Sequence, residues 1–251
     1  MTEFKYVGSE LELFAAVKNW KSYWSSCICP FIRGEVLEVG AGLGANTPYL
    51  KRSDKRRWVC LEPDPLLVKQ LSANVGPTDG RAGCEVVCGT LEAVKGSQFD
   101  TIIYIDVLEH IENDSRELED AAQLLRPDGR IIVLSPAHQR LFTEFDAAIG
   151  HFRRYNRATL RSVSPAQLRL EKLLYLDSVG LLLSGANRLF LRQSMPTKEQ
   201  LRFWDQCVIP LSRVFDKCLF GRLGKSIIAI WRREGIAALP GASPSPGSGV
   251  C

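Results

Sequence analysis

Short apolar runs alternate with amphipathic stretches through the first half of the chain. The runs Glu35–Val39, Arg57–Leu61, Glu85–Val87, Thr101–Ile105 and Arg130–Leu134 are predicted strands, with helices between them at 46–52, 64–75, 90–95 and 114–125. The last of these carries Leu118, Ala121, Ala122 and Leu125 on one face, with Asp114 and Ser115 as candidate caps. It is expected to stop at Arg126-Pro127-Asp128-Gly129, a turn leading into the next strand. Alternation of this kind predicts a parallel sheet with helices on both faces. Ahead of it, Leu11, Leu13, Phe14, Val17, Trp20 and Trp24 recur at three- and four-residue steps, which predicts one amphipathic helix over 9–27.

Beyond residue 165 the rhythm changes. Residues 168–176 read as a strand and 225–232 as a last strand, an arrangement that suits antiparallel addition at a sheet edge. The connection, 178–220, is apolar, basic and mostly helical, interrupted at Pro196 and Pro210. The resulting division is an N-terminal helical cap (1–34), an α/β core (35–177 and 221–234), a helical insertion or lid (178–220) and a disordered Pro/Gly/Ser-rich tail (235–251).

Composition narrows the class only a little. A chain of 251 residues can bury a full core without disulfide or metal staples. A formal charge of +4 is too small to require an anionic partner; the basic residues are scattered and form no nucleic-acid recognition module. No apolar window is long enough to span a membrane, and the acidic N-terminal stretch does not read as a secretory signal. Eight cysteines are then expected to stay reduced in a cytoplasmic protein. Cys27-x-Cys29 and Cys84-x3-Cys88 lack the paired spacing of a zinc site, and Cys84 and Cys88 are expected on one side of the sheet.

The strongest local signal is VLEVGAGLGANT at 36–47: a buried strand, a turn through Gly40, Gly42 and Gly44, and a helix starting near Asn46. Glycines let the backbone turn tightly and approach a ligand without a Cβ in the way. Glu62 ends the next strand, where a carboxylate accepts hydrogen bonds from ribose hydroxyls. Together they point to an adenosine-containing cofactor. Gly40, Gly42 and Ala45 also satisfy the relaxed G-x-G-x-x-A pattern, so the loop alone leaves dehydrogenase and methyltransferase both open.

Four motifs in order close that choice. Glu-Val-Gly-Ala-Gly-Leu-Gly at 38–44, Glu62-Pro63-Asp64, FDTIIYIDVLEHI at 99–111 and LLRPDGRIIVLSP at 124–136 resemble the class I S-adenosylmethionine-dependent methyltransferases. The flanking segments 10–24, 145–160 and GKSIIAIWRR resemble a narrower bacterial group acting in polysaccharide, lipid-linked or secondary-metabolite biosynthesis. The resemblance implies a Rossmann-like, doubly wound seven-stranded sheet with its last strand antiparallel, here with an α-helical insertion, and S-adenosyl-L-methionine as cofactor. It also implies that Gly40 and Gly42 lie against the methionine portion of that cofactor, Glu38 under its amino group and Glu62 on the ribose. Thr90 and Leu91 fall beside the adenine; the family often has an acid where this chain has Thr90, which leaves the hydroxyl or backbone amides to make that contact. Asp106 falls beside the reactive methyl. Trp20 and Tyr23 either cover the cofactor or pack in the core.

All three histidines, His110, His138 and His151, follow strands whose ends face the ligand edge. Transfer to oxygen or nitrogen requires loss of an acceptor proton, which a histidine can take; His151 is the first candidate base and His110 the second. Asp106, Glu109, His110 and His151 also resemble a metal-binding set of certain O-methyltransferases, with donors that suit Mg²⁺ or Mn²⁺; against this, Glu109 and His110 simply cap a turn. Arg153, Arg154 and Arg157 either bind an anionic acceptor or pair with Asp146 and Glu144. Segments 178–195 and 208–220 read as a lid or homodimer face, or as a peripheral membrane surface for a lipid-linked acceptor. The expected function is methyl transfer to an oxygen or nitrogen of a small-molecule, glycan or lipid-linked acceptor without nucleic acid and, in the first reading, without metal. The alternatives are a metal-assisted O-methyltransferase and a nucleotide-binding protein with no transferase activity.

Overall fold

The computed structural model describes residues 10–51, 57–76, 83–190 and 197–235; beyond Gly235 the expected tail lies outside them. Strands β1 (Val36–Val39), β2 (Trp58–Glu62), β3 (Glu85–Cys88), β4 (Phe99–Ile105), β5 (Leu125–Pro136), β6 (Leu168–Leu176) and β7 (Ser226–Arg233) form one sheet. Its order is β3-β2-β1-β4-β5-β7-β6. The first five strands run parallel, and β7 is antiparallel to both neighbours. This is the Rossmann-like arrangement expected from the motifs.

Alternate residues of the central strands feed two cores, one on each face. Leu37, Val39, Ile102, Tyr104, Ile131 and Val133 pack with Leu118, Ala121 and Ala122 of α5 (Asp114–Gln123). On the other face, Val36, Ile103, Ile105 and Ile132 pack with Trp20, Trp24 and Ile28 of α2 (Asn19–Ile28) and Leu71 of α4 (Pro65–Val75). Asp64 caps α4 by accepting from the Leu66 and Leu67 amides, with Pro65 in the first turn. The cap of α5 is Asn113, which accepts from the Arg116 amide, and not Asp114 or Ser115. Asp114 is turned inward, to the Tyr155 hydroxyl and the Arg153 guanidinium.

Other expectations are corrected. The single helix over 9–27 is two, α1 (Glu10–Ala15) and α2. Helix 46–52 is one turn, α3 (Thr47–Leu50), and 90–95 is a 3₁₀ turn over Leu91–Val94. Arg126–Gly129 does not separate helix from strand: it lies within β5 as an irregularity, with Phe99 opposite Leu125, Thr101 opposite Arg130, and Asp128 at φ +65°.

Between β6 and β7 the chain forms α8 (Ser178–Phe190), α9 (Lys198–Phe203) and α10 (Ile209–Cys218). Pro196 lies outside the described residues. Pro210 does not interrupt the helix but sits in the first turn of α10, after a wide π turn over Trp204–Val208. That turn carries Asp205, whose buried carboxylate accepts from the Lys18, Asn19 and Trp20 amides at 3.1, 3.2 and 2.9 Å. The break after α1 thus has a tertiary cause: a residue 185 positions away satisfies the orphan amides at the start of α2. Among the described residues no helix is long and apolar enough to cross a membrane.

Replacing Asp205 with alanine strands these three amides and is expected to cost about 2–4 kcal/mol, a fall in Tm of roughly 5–15 °C by calorimetry, with Asp205→Asn milder. An Asp205→Ala protein melting with the wild type would remove this link from the account.

Candidate active site

The turn after β1 is built from backbone alone. Gly40, Gly42 and Gly44 have φ of +64°, +55° and +74°, the left-handed region that L side chains rarely adopt. A Cβ on Gly40 would meet the Val107 side chain at 2.7 Å, and one on Gly44 would meet Val75 at 2.7 Å and Leu71 at 2.9 Å. At Gly42 a Cβ would reach only Leu11, at 3.7 Å, so this glycine faces open space and its absent side chain leaves room for a ligand. The Gly42 amide is held by Glu62 Oε2 at 2.9 Å, and the Asp64 amide donates to Oε1 at 3.0 Å. Burial pushes the Glu62 carboxyl up, opposed by these two amides. Each oxygen keeps a further lone pair, as a diol-binding carboxylate must.

The turn opens into a cleft of about 1290 Å³ along the carboxyl ends of the strands. A single drug-sized ligand occupies roughly 300–1,000 Å³, so there is space for a cofactor and an acceptor together. Gly40, Gly42, Glu62, Thr90, Asp106, His110, His151 and Trp20 all line it. Asp106 stands in the left-handed region at φ +53° just beyond β4. Its side chain opens onto the cleft yet lies deep in the protein, and this depth pushes its pKa up to about 6, against the pull of His151 and Lys21. Lys21 is itself lowered to about 8 by burial, with Asp205 and Asp106 drawing it upward; its ammonium donates to the Ala15 and Ala45 carbonyls and so ties α2 to the glycine turn.

Four expected residues stand elsewhere. Glu38 does not line the cleft: its Oε2 accepts from Thr47 Oγ1 and Trp58 Nε1, both at 2.9 Å, and from the Cys60 thiol. It braces the glycine turn from behind, and burial pushes its pKa to about 7 against those donors. Leu91 belongs to the core under the sheet. The Tyr23 hydroxyl donates to Asp216 at 2.8 Å, so Tyr23 packs while Trp20 faces the cleft. His138 stacks on Tyr175, and its Nε2 meets the Gly224 carbonyl at 3.0 Å.

At the far end, His110 and His151 meet edge to face with centroids 4.5 Å apart. Burial, then the neighbouring His151, lowers His110 to about 4, which makes it a poor proton acceptor. His151 Nδ1 lies 3.0 Å from Asp146 Oδ1. Asp146 also receives both arms of Arg154 at 2.8 and 2.9 Å and the amide and hydroxyl of Thr143. Burial alone would raise the Asp146 carboxyl, but His151 and Arg154 together hold it well below the usual range. An ionised Asp146 accepts only, so His151 donates through Nδ1 and presents the lone pair of Nε2. That atom lies 3.9 Å from Glu109 Oε1. Glu109 is fully buried; burial and then Asp106 push its carboxyl well above the usual range, Ser135 Oγ donates to Oε2, and Oε1 accepts no hydrogen bond among the described residues. Ligand atoms of Glu109, His110 and His151 all lie within 4.8 Å of one another, whereas Asp106 is not part of that group.

The arginine cluster is already committed. Arg154 is tied to Asp146, Arg153 to Asp114 and the Glu112 carbonyl, and Arg157 to the Gly221 carbonyl. Sequence reasoning did not assign Asp146 a catalytic part or single out Lys225; nothing in the sequence marks Asp146 among the acids nearby, while Lys225 announces itself only by preceding the last strand.

The sheet order and the glycine–carboxylate cleft define a Rossmann-like methyltransferase fold. Residues 37–133 match the family model described as Methyltransferase domain. None of the curated proteins matches the chain by sequence. Among solved structures, the putative methyltransferase in complex with the Haloferax volcanii Trm112 methyltransferase activator has a TM-score of 0.60 at 15% identity, over 92% of this chain and 99% of the other. A putative methyltransferase from Bacillus halodurans gives 0.54 at 17%, over 85% and 98%. Coclaurine N-methyltransferase bound to N-methylheliamine and SAH gives 0.57 at 13%, over 84% and 72%. At such identities these likenesses concern the fold. With the domain match they place a methyltransferase domain of Rossmann-like fold over residues 37–133, and the cradle at Gly42 and Glu62 fits S-adenosylmethionine.

The two glycines separate binding from folding. Gly42→Ala is expected to weaken S-adenosylmethionine binding at least tenfold while costing about 1 kcal/mol of stability; Gly44→Ala, which drives a Cβ into Val75 and Leu71, costs about 2–3 kcal/mol. Calorimetric titration and thermal melts of both variants check this, and the reverse ranking would contradict the placement of the cleft.

Proposed function

We propose that the protein transfers the methyl group of S-adenosylmethionine to an oxygen or nitrogen of a small-molecule, glycan or lipid-linked acceptor, with His151 as general base. The observation that carries this reading is the Arg154–Asp146–His151 chain, which holds His151 by Nδ1 on the wall of the cleft. The bound cofactor supplies an electrophilic methyl on a sulfonium. Gly40, Gly42, Glu62 and Thr90 hold it, and Glu38 steadies the turn behind them. Asp106 stands between the cofactor end of the cleft and the histidines. His151 Nε2 takes the acceptor proton, and Asp146 stabilises the imidazolium that results. Trp20 and the helices of 178–220 close the cleft above, a lid over a core of 35–177 and 221–234, with 1–34 as cap. The neighbouring coclaurine N-methyltransferase supports a nitrogen acceptor among the choices. Exposed Leu211, Val214, Phe215 and Phe220 on and beyond α10 support a lipid-linked acceptor or a second copy of the chain. The cysteine usage supports a cytoplasmic, biosynthetic enzyme.

A second reading is favoured by one observation, the buried Oε1 of Glu109, which accepts no hydrogen bond among the described residues and lies within reach of both histidines. In it Glu109, His110 and His151 hold a divalent cation that binds the acceptor oxygen. Asp146 on Nδ1 of His151 is the outer carboxylate such a ligand needs.

His151→Asn is expected to lower kcat/KM for a phenol or amine acceptor by roughly 10²–10⁴ with S-adenosylmethionine affinity unchanged. Wild-type turnover in that variant would remove His151 as base. A chelator is expected to leave the rate unchanged; activation by Mg²⁺ or Mn²⁺ that Glu109→Gln abolishes would establish the second reading instead.

A further inference from the structure

Three cations line the cleft: Lys21, Arg154 and Lys225. Two are spoken for, Lys21 by the Ala15 and Ala45 carbonyls and Arg154 by the forked contact with Asp146. The third, half-buried just before β7, donates its backbone amide to the Asp177 carbonyl at 3.1 Å, while its ammonium makes no hydrogen bond or ion pair with any described residue. Its Nζ rests 5.9 Å above the Trp204 ring. Asp177 makes no contact with the ammonium; it accepts from the Gly180 amide, Ser212 Oγ and Trp204 Nε1. Burial lowers the Lys225 pKa, as does Arg154, while Asp177 and Asp146 draw it up from a distance.

Topology says which ligand it serves. The cofactor residues stand at the ends of β1, β2, β3 and β4, whereas Lys225 stands at the end of the sheet edge where β7 meets β5. It is two strand spacings, about 10 Å, from β4. Trp204 packs against it, and Leu183, Leu201 and Val208 line the same cleft.

We propose that Lys225 is a specificity residue for the acceptor, which carries a carboxylate that pairs with its ammonium while an apolar body lies against Leu183, Leu201, Trp204 and Val208. This rests on the methyltransferase reading and names the acceptor class for it. One ammonium matches a monoanion; a phosphate dianion would keep a charge uncompensated there. The arginines that the sequence offered for this task are all engaged elsewhere.

The test uses the protein loaded with S-adenosylhomocysteine and matched probes: phenylacetate against phenylacetamide, octanoate against octanamide, and phenyl phosphate, titrated calorimetrically. The acids are expected to bind about tenfold more tightly than their amides, the difference a charged hydrogen bond makes. Lys225→Met should erase that preference and Lys225→Arg keep most of it, with S-adenosylmethionine affinity unchanged in both. The proposal is overturned if no acid binds, if acid and amide bind alike, if the preference survives Lys225→Met, or if phenyl phosphate binds more tightly than the carboxylates. Failure of the wild type to bind S-adenosylmethionine would instead sink the methyltransferase reading, and separately so.

Discussion

The hydrogen bond from the Gly42 amide to Glu62 joins the ends of β1 and β2 and fixes the turn on which the cleft depends. It holds a loop whose three glycines occupy left-handed conformations, and each Glu62 oxygen keeps a second lone pair. Glu38 works from the other side, drawing in Thr47 and Trp58, so the turn is clamped between two buried carboxylates. Neither could be replaced by an apolar residue without releasing donors that have no other acceptor.

Buried acids organise the rest of the molecule in the same way. Asp205 caps α2 from within the insertion, and Asp216 gathers the Tyr23 hydroxyl with the Asp177 and Ser178 amides. These bonds tie the N-terminal helices and the insertion to the sheet along one side of the cleft. Asp146 fixes His151 on the opposite side. Each carboxylate holds an element that packing alone would leave at an unspecified angle, which is how a hydrophobic scaffold acquires defined walls.

Much of the frame was legible because it follows from periodicity. The strand at 168–176 has the boundaries that its sequence suggests, and the five parallel strands lie within a few residues of theirs. What was not legible has long-range causes. The break between α1 and α2 is made by Asp205, and the Pro-Asp-Gly segment was taken into β5 because Thr101 pairs beyond it with Arg130. In the site, residue type placed Glu62, Asp106 and His151 on the cleft, since glycine turns and strand ends position them by topology. Glu38 was expected in the cleft and stands behind it, because a motif names a residue without saying which way its side chain turns. Asp146 and Lys225 gain significance only from what they touch or fail to touch.

The central claim is that the clamped glycine turn binds S-adenosylmethionine. Its most direct test is calorimetric titration of that cofactor into metal-stripped protein, with Glu62→Ala alongside. The account predicts saturable binding by the wild type, weakened at least about tenfold by the substitution, and no heat from NADH. A wild type that ignores S-adenosylmethionine and binds NADH would contradict it.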